Sequence, residues 1–241
     1  MSAGSTAAHG PATGGYKDRL RRLAHGVLDP VVAGLARIGV RPNHMTTLGF
    51  GLSGCAGLAF AVGRFRLAAL ITCATGVCDI LDGQLARRTG GETRFGAFLD
   101  STLDRLSEAA LLLGIAGYYA IQLVLMTTDP ERVLRNLQHG LEPITYGVIA
   151  LLAMLAMAGS FMVSYTRARA EGLGLGCKVG WFERPERIVL IILMGFLGLG
   201  PAIPAGLLIL VTFSFATAFQ RLVHVWKLTR DAGSGSGSTE A

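Results

Sequence analysis

Cys78-Asp79-Ile80-Leu81-Asp82-Gly83-Gln84-Leu85-Ala86-Arg87, continued through Gly96, Asp100 and Asp104, is where two apolar runs of this chain acquire charge. Four aspartates fall within 26 residues of a sequence that otherwise reads as membrane. Asp79 and Asp82 interrupt the end of one apolar run, and Asp100 and Asp104 interrupt the start of the next. An ionised group at such a position is costly unless a partner holds it, so a functional site is the default expectation.

The surrounding composition fixes the class. Of 241 residues, 51% are apolar and only 16% charged, against roughly 25% charged in ordinary soluble domains. Several apolar runs reach or approach the roughly 20 residues that span a bilayer. The expected fold is all-α: a polytopic membrane protein with six transmembrane helices preceded by an amphipathic juxtamembrane helix. The net charge of +6 does not point to nucleic acid. Its basic residues lie mainly in the N-terminal arm and between apolar runs, as in cytoplasmic loops. Cys55, Cys73, Cys78 and Cys177 form no C-x-x-C and read as small buried hydrophobes.

Residues 1–15 are rich in Gly, Ala, Ser and Thr, without the order of a signal peptide, and read as a disordered segment. Residues 16–230 read as one transmembrane domain and 231–241 as a flexible Gly/Ser tail. Tyr16 to Ile38 mixes basic residues with leucines and valines at helical spacing, and Asp29-Pro30 is expected to break or kink it. Such a helix suits an anionic membrane surface.

The spans are expected from about Arg41 to Gly63, Leu67 to Arg88, Phe95 to Met126, Ile144 to Val163, Glu183 to Leu197, and a sixth ending at Arg221 to Lys227. Asn43 is suited to cap the first. Gly49, Gly51, Gly54 and Gly57 let a neighbouring helix or a ligand approach that span closely. Thr127 to Gly140 reads as a polar connection, and Gly200-Pro201-Ala202-Ile203-Pro204 as a tight turn. Six spans put both termini on one side. With the basic arm in the cytoplasm, the four aspartates lie near the cytoplasmic surface of a cell (inner) membrane.

At about 100° per residue, Asp79, Asp82, Gly83 and Ala86 share one stripe of the second span, and Gly96, Asp100 and Asp104 share one stripe of the third. A short loop joins the two, so the stripes can face each other, and converging carboxylates demand cations. Hard oxygen ligands select Mg²⁺, Mn²⁺ or Ca²⁺, and no His stands at ligand spacing. Gly83 and Ala86 leave room beside the metals, and Arg87 suits a phosphate oxygen. Metals, small residues and an Arg together describe phosphoryl transfer. Two other readings of the same carboxylates stay open here: neutralisation by buried Arg partners, and the ion pathway of a cation transporter.

Asp79-x2-Asp82-Gly83-x2-Ala86-Arg87-x8-Gly96-x3-Asp100-x3-Asp104 resembles, at every fixed position, the signature of the CDP-alcohol phosphotransferases. The resemblance implies a homodimer embedded among membrane lipids. It also implies two divalent ions per site, Mg²⁺ or Mn²⁺, that bind the pyrophosphate of CDP-diacylglycerol. Asp79, Asp82 and Asp100 would ligate metal. Asp104 would stand near a metal and act as the general base. Asn43, Thr46, Gly83, Ala86, Arg87 and Thr93 fall where the family contacts the CDP-lipid.

The rest of the chain resembles a subgroup, the bacterial phosphatidylinositol phosphate synthases. The likeness rests on Ser164-Tyr165-x-Arg167-Ala168-Arg169-Ala170-Glu171, Glu183-Arg184-Pro185-Glu186-Arg187 and Gln220-Arg221. It implies that Arg167, Arg187 and Arg221 bind the phosphate of a phosphorylated polyol acceptor, inositol 1-phosphate. The subgroup commonly has Lys at Arg167 and Asp at Asn43. Glycerol 3-phosphate, giving phosphatidylglycerol phosphate, is therefore the alternative acceptor.

Overall fold

The computed structural model describes residues 29–90, 93–129, 131, 133–134, 142–198 and 200–235, with side chains through Arg230. Every regular element among them is helical. They are α1 (29–37), α2 (Pro42–Ala61), α3 (Phe65–Thr89), α4 (Arg94–Thr128), α5 (Pro143–Gly172), α6 (Arg184–Leu197) and α7 (Ala202–Gly235). α2 packs against α3 and α4, α4 against α5, α5 against α7, and α6 lies on α3 and α7. The residues expected to form the disordered segment and most of the amphipathic helix lie outside the described range. Asp29 and Pro30 fall within helical residues, so no break separates them from the rest of α1. Most of the polar connection up to Gly140 is likewise outside it.

Three helices, Arg94–Thr128, Pro143–Gly172 and Ala202–Arg230, are long and apolar enough to cross a membrane. They mark the chain as a membrane protein. Leu113, Ile121, Leu151, Met154, Leu208 and Phe213 turn large apolar side chains outward from them, which lipid tolerates and water does not. The other three expected spans fall short of that length and composition for separate reasons. α3 carries Asp79, Asp82, Arg87 and Arg88 in its second half, and α2 is interrupted by Asn, His, Ser and Thr. α6 has 14 residues, a rise of roughly 21 Å against a hydrocarbon core of about 30 Å.

Local sequence explains several boundaries. Pro42 opens α2 behind Arg41, whose backbone N–H reaches His44 Nδ1 at 3.5 Å. Asn43 therefore lies inside the helix and does not cap it. α3 stops where Gly90 adopts a left-handed φ of 61°. α5 runs past the expected Val163 to Gly172, so Tyr165 to Glu171 ride on its last turns. The turn before α7 is shorter than expected. Ala202, Ile203 and Pro204 already belong to that helix, Ile203 because it is fully buried in the core and Pro204 because a helix's first turn tolerates a missing N–H. α7 continues through Gly235, into the expected tail.

The main core joins Phe60, Phe65, Leu112, Ile115, Tyr119, Ala153, Ile191 and Leu207. At its α2–α3 end, Phe65 meets Phe60 and Tyr118 edge-on, at 5.3 and 5.2 Å between ring centres. A smaller cluster of Val32, Met45, Cys78, Leu81 and Leu85 seats α1 on the back of α2 and α3. Two glycines of the expected small-residue stripe serve helix packing. Gly49 lies against Cys78 and Asp79, and Gly57 meets the backbone of Ala110 and Gly114. Gly51 and Gly54 face open space.

The α2–α4 crossing has no room for a side chain, because a Cβ at Gly114 would collide with the Gly57 carbonyl. Gly114→Val should therefore lower stability by about 3 kcal/mol or more. Thermal unfolding in detergent, followed by size exclusion, checks this. Gly51→Val, on the open face, should leave the midpoint almost unchanged.

Candidate functional site

The site lies where the C-terminal half of α3 faces the N-terminal half of α4, with α2 on one side and α5, α6 and α7 on the other. Asp100 on α4 is at its centre. It interacts electrostatically with Asp79, Asp82 and Asp104, and it lines two adjoining cavities.

The first cavity, about 250 Å³, is lined by Asn43, Thr46, Asp82, Gly83, Ala86, Thr93, Gly96 and Asp100, among others. Thr46 Oγ1 donates to Asp82 Oδ2 at 3.0 Å, orienting one buried carboxylate. Thr93 caps α4, its hydroxyl accepting from the Gly96 N–H at 2.9 Å. A Cβ at Gly96 would sit 3.0 Å from that hydroxyl and 3.2 Å from Asn43 Oδ1. Gly96 is thus a packing requirement of α2 against the α4 cap. Gly83 and Ala86 form the smooth wall. Arg87 is exposed, with its guanidinium folded near Gly83, 3.7 Å from where a Cβ would stand.

The second cavity, about 450 Å³, is lined by Asp100 and Asp104, by Arg105, Arg167, Arg184, Arg187 and Arg221, and by Glu108, Glu171 and Glu183, among others. The arginines differ in freedom. Arg187 is 1% exposed and grips Glu108 with two bonds, Nε to Oε1 at 2.6 Å and Nη2 to Oε2 at 2.9 Å. Ser160 adds a third bond to Glu108 Oε1 at 2.7 Å. Arg221 is also buried; it donates to the carbonyls of Val163 (2.5 Å) and Val179 (2.8 Å) and to Glu183 Oε1 (3.2 Å). Arg167 is more exposed and pairs with Glu171 at 2.9 Å. The cavity therefore brings together all three arginines expected to bind an acceptor phosphate, two of them already fixed by protein partners.

Arg184 belongs to the motif before α6 but has no role read from the sequence, and it is the site residue that sequence reasoning missed. Its Nη1 lies 2.8 Å from Asp79 Oδ2 and its Nη2 2.9 Å from Asp104 Oδ1. One guanidinium thus bridges the signature carboxylates of two helices. The neutralisation of aspartates by an Arg partner therefore holds for this pair. The local sequence explains the placement. Glu183 and Glu186 form a capping box at the start of α6, closed by Glu183 N–H to Glu186 Oε2 at 3.1 Å. Pro185 fits the first turn. With the helix start fixed, Arg184 and Arg187 three residues apart share a face. Glu108 was also missed, although it continues the four-residue series Gly96, Asp100, Asp104.

Among the described residues no three His, Cys, Asp or Glu side chains stand ready-grouped around a metal position. Asp79 and Asp104 are drawn to Arg184 instead. The donor chemistry nonetheless fits a hard divalent cation. The four side chains offer only carboxylate oxygens, and Cys78 turns away into the small apolar cluster.

A helical membrane bundle with an acidic cleft between two cavities, one smooth and one cationic, is suited to joining an activated phosphate to a second anion. The chain belongs to the CDP-alcohol phosphatidyltransferase family, whose model matches residues 40–226. It is 34% identical over 214 residues to the archaetidylinositol phosphate synthase of Methanothermobacter thermautotrophicus, covering 87% of this chain and 94% of that one. It is 33% identical over 208 residues to the phosphatidylinositol phosphate synthase of Mycobacterium tuberculosis, covering 83% and 86%. The crystal structure of the Mycobacterium tuberculosis enzyme with CDP-DAG bound superposes with a TM-score of 0.67 at 30% identity, covering 82% of this chain and 92% of that one. The same enzyme in complex with manganese and citrate gives 0.68 at 31% identity, covering 82% and 88%. The chain is accordingly a CDP-alcohol phosphotransferase of phospholipid biosynthesis, similar over most of its length to these inositol phosphate lipid synthases.

The Glu108–Arg187 pair carries a stability prediction. Glu108→Ala strands a buried guanidinium and should cost about 3–5 kcal/mol. Glu108→Ala with Arg187→Met should recover much of that loss in a thermal unfolding series.

Proposed function

We propose that the protein transfers the phosphatidyl group of CDP-diacylglycerol to a hydroxyl of inositol 1-phosphate and releases CMP. The observation that carries this reading is the pair of cavities meeting at Asp100. One side offers small residues and hydrogen-bonding groups for the CDP-lipid, the other an arginine cluster for a phosphorylated polyol. A dianionic acceptor needs several cations, which Arg167, Arg187 and Arg221 supply from three helices. An uncharged alcohol would offer their charge no partner in the cavity. The named relatives favour an inositol phosphate over glycerol 3-phosphate.

The CDP-lipid would enter the first cavity, its pyrophosphate against Gly83 and Ala86 within reach of Arg87, with Asn43, Thr46 and Thr93 around it. Asp79, Asp82, Asp100 and Asp104 would hold two divalent ions, Mg²⁺ or Mn²⁺, which supply charge neutralisation to the pyrophosphate oxygens and the departing CMP. The acceptor hydroxyl oxygen forms a bond to the phosphorus that carries the diacylglycerol. The pyrophosphate bond to CMP breaks, and the hydroxyl proton passes to the Asp104 carboxylate. Asp104 suits this role because it faces the cationic cavity, where the acceptor would sit, while Asp82 faces the lipid side.

The six-span topology belongs to the same reading. α2, α3 and α6 would cross beside the three long apolar helices, with the site open to the cytoplasm of an inner membrane. Arg87, Arg88, Arg167, Lys178 and Arg184 would then lie on the positive side. A homodimer completes the assembly, its apolar outer faces shared between lipid and the second copy.

CMP release from CDP-diacylglycerol with Mg²⁺ or Mn²⁺ and a panel of acceptors tests the reading. Inositol 1-phosphate should support turnover above glycerol 3-phosphate, free inositol and serine, and chelation of the metal should abolish it. No CMP with any acceptor, from folded protein, would overturn the assignment. Asp104→Asn should keep CDP-lipid binding and lose at least about 100-fold in kcat. Arg167→Ala should raise KM for inositol 1-phosphate about tenfold, close to the loss of one charged hydrogen bond, with little effect on KM for the lipid.

A further inference from the structure

Arg184 is bound to two of the aspartates and also lines the arginine cavity. Those two placements compete. A guanidinium lying between Asp79 and Asp104 occupies the oxygens that a divalent ion would need. Its third nitrogen, Nε, is buried and has no hydrogen-bond partner. A buried unpaired donor is costly, so the bridging pose satisfies the carboxylates at the expense of the arginine. Arg187 and Arg221, by contrast, are each held by several protein acceptors and are not poised to move. Arg184 stands in the first turn of α6, directly after the irregular segment that precedes it, on a long flexible side chain that already borders the cavity.

We infer that Arg184 is an internal counter-cation of the acidic cleft. A divalent ion displaces it further into the neighbouring cavity, where it adds its charge to that of Arg167, Arg187 and Arg221 at the acceptor phosphate. Metal and phosphate binding are thereby coupled through one side chain. Without metal, the guanidinium offsets repulsion between Asp79 and Asp104 and covers Asp104, the proposed base. With metal, Asp104 is released and the acceptor cavity gains a charge. This inference rests on the proposed metal-dependent transfer, and it assigns to Arg184 a positioning and binding role distinct from proton transfer.

The test uses full-length protein in detergent. Free Mn²⁺ is followed by its paramagnetic resonance signal, and inositol 1-phosphate binding by calorimetry, each ligand with and without the other. In the wild type, Mn²⁺ should raise inositol 1-phosphate affinity about tenfold, and inositol 1-phosphate should raise Mn²⁺ affinity by the same factor. Arg184→Gln should bind Mn²⁺ more tightly in the absence of acceptor, because the competing cation is gone. It should also bind inositol 1-phosphate more weakly when Mn²⁺ is present, with the coupling reduced severalfold. Arg184→Lys, which keeps the charge and loses the two-pronged geometry, should fall between.

Thermal unfolding gives a readout that needs no bound acceptor. Metal-free Arg184→Gln should melt below the wild type, and Mn²⁺ should raise its midpoint by more than it raises the wild type's. Unchanged or weaker Mn²⁺ binding by Arg184→Gln, or undiminished coupling, overturns the inference. CMP assays in parallel separate the two levels. Turnover without altered Mn²⁺ affinity in the variant removes the switch and leaves the transferase. Altered affinity without turnover on any acceptor leaves the switch and removes the transferase.

Discussion

The protein depends on placing negative charge at the end of an apolar bundle and answering most of that charge locally. Carboxylates withdrawn from water are tolerated only beside cations or strong donors, and most of those here have a designated neighbour. Asp82 has the Thr46 hydroxyl, Asp79 and Asp104 share Arg184, and Glu108 is gripped by Arg187 and Ser160. These contacts tie α2 to α3, α3 to α6, α6 to α4, and α4 to α5. The functional end of the bundle is thus held by charge and hydrogen bonds, while the remainder is held by ordinary packing around Phe60, Leu112 and Ile191.

That division of labour explains why the two cavities can stand so close without merging. Asp100 forms the common wall. On one side, Asp82 apart, the residues are uncharged and mostly small, which suits a bulky lipid phosphate. On the other they are long and cationic. A single carboxylate between two anionic ligands would repel both, so the site makes chemical sense only when additional positive charge is brought to it.

Much of this was legible in the sequence, for identifiable reasons. Asp79, Asp82, Asp100 and Asp104 were visible because charge in an apolar run is costly, and helical spacing placed them on facing stripes. Gly83 and Ala86 came with the signature and Thr46 with the wider family resemblance, and the first cavity contains all three. Arg184 was not legible, because a basic residue at the start of a helix reads equally well as a loop charge. Only the geometry of α6 shows that it reaches back across two helices. Asn43 looked like a cap because Pro42-Asn43 opens a helix; the cap fell two residues earlier, at Arg41, and freed its amide for the α4 side. Apolar runs alone suggested six crossings, and three of them stand out by length and composition. α3 is too charged and α6 too short to qualify on those grounds.

The Glu108–Arg187 pair has a consequence for how this lineage can change. Either residue altered alone leaves a charge stranded in the bundle, so a change at one is costly without a matching change at the other. Arg187 also borders the cationic cavity, and a change of acceptor that no longer needed that arginine would have to pass through a double substitution on two helices. Drift toward a new alcohol is therefore cheaper at Arg167, whose charge is shared with exposed Glu171, than at the buried pair. Of the arginines around the second cavity, Arg167 is the easier to exchange and Arg187 the harder.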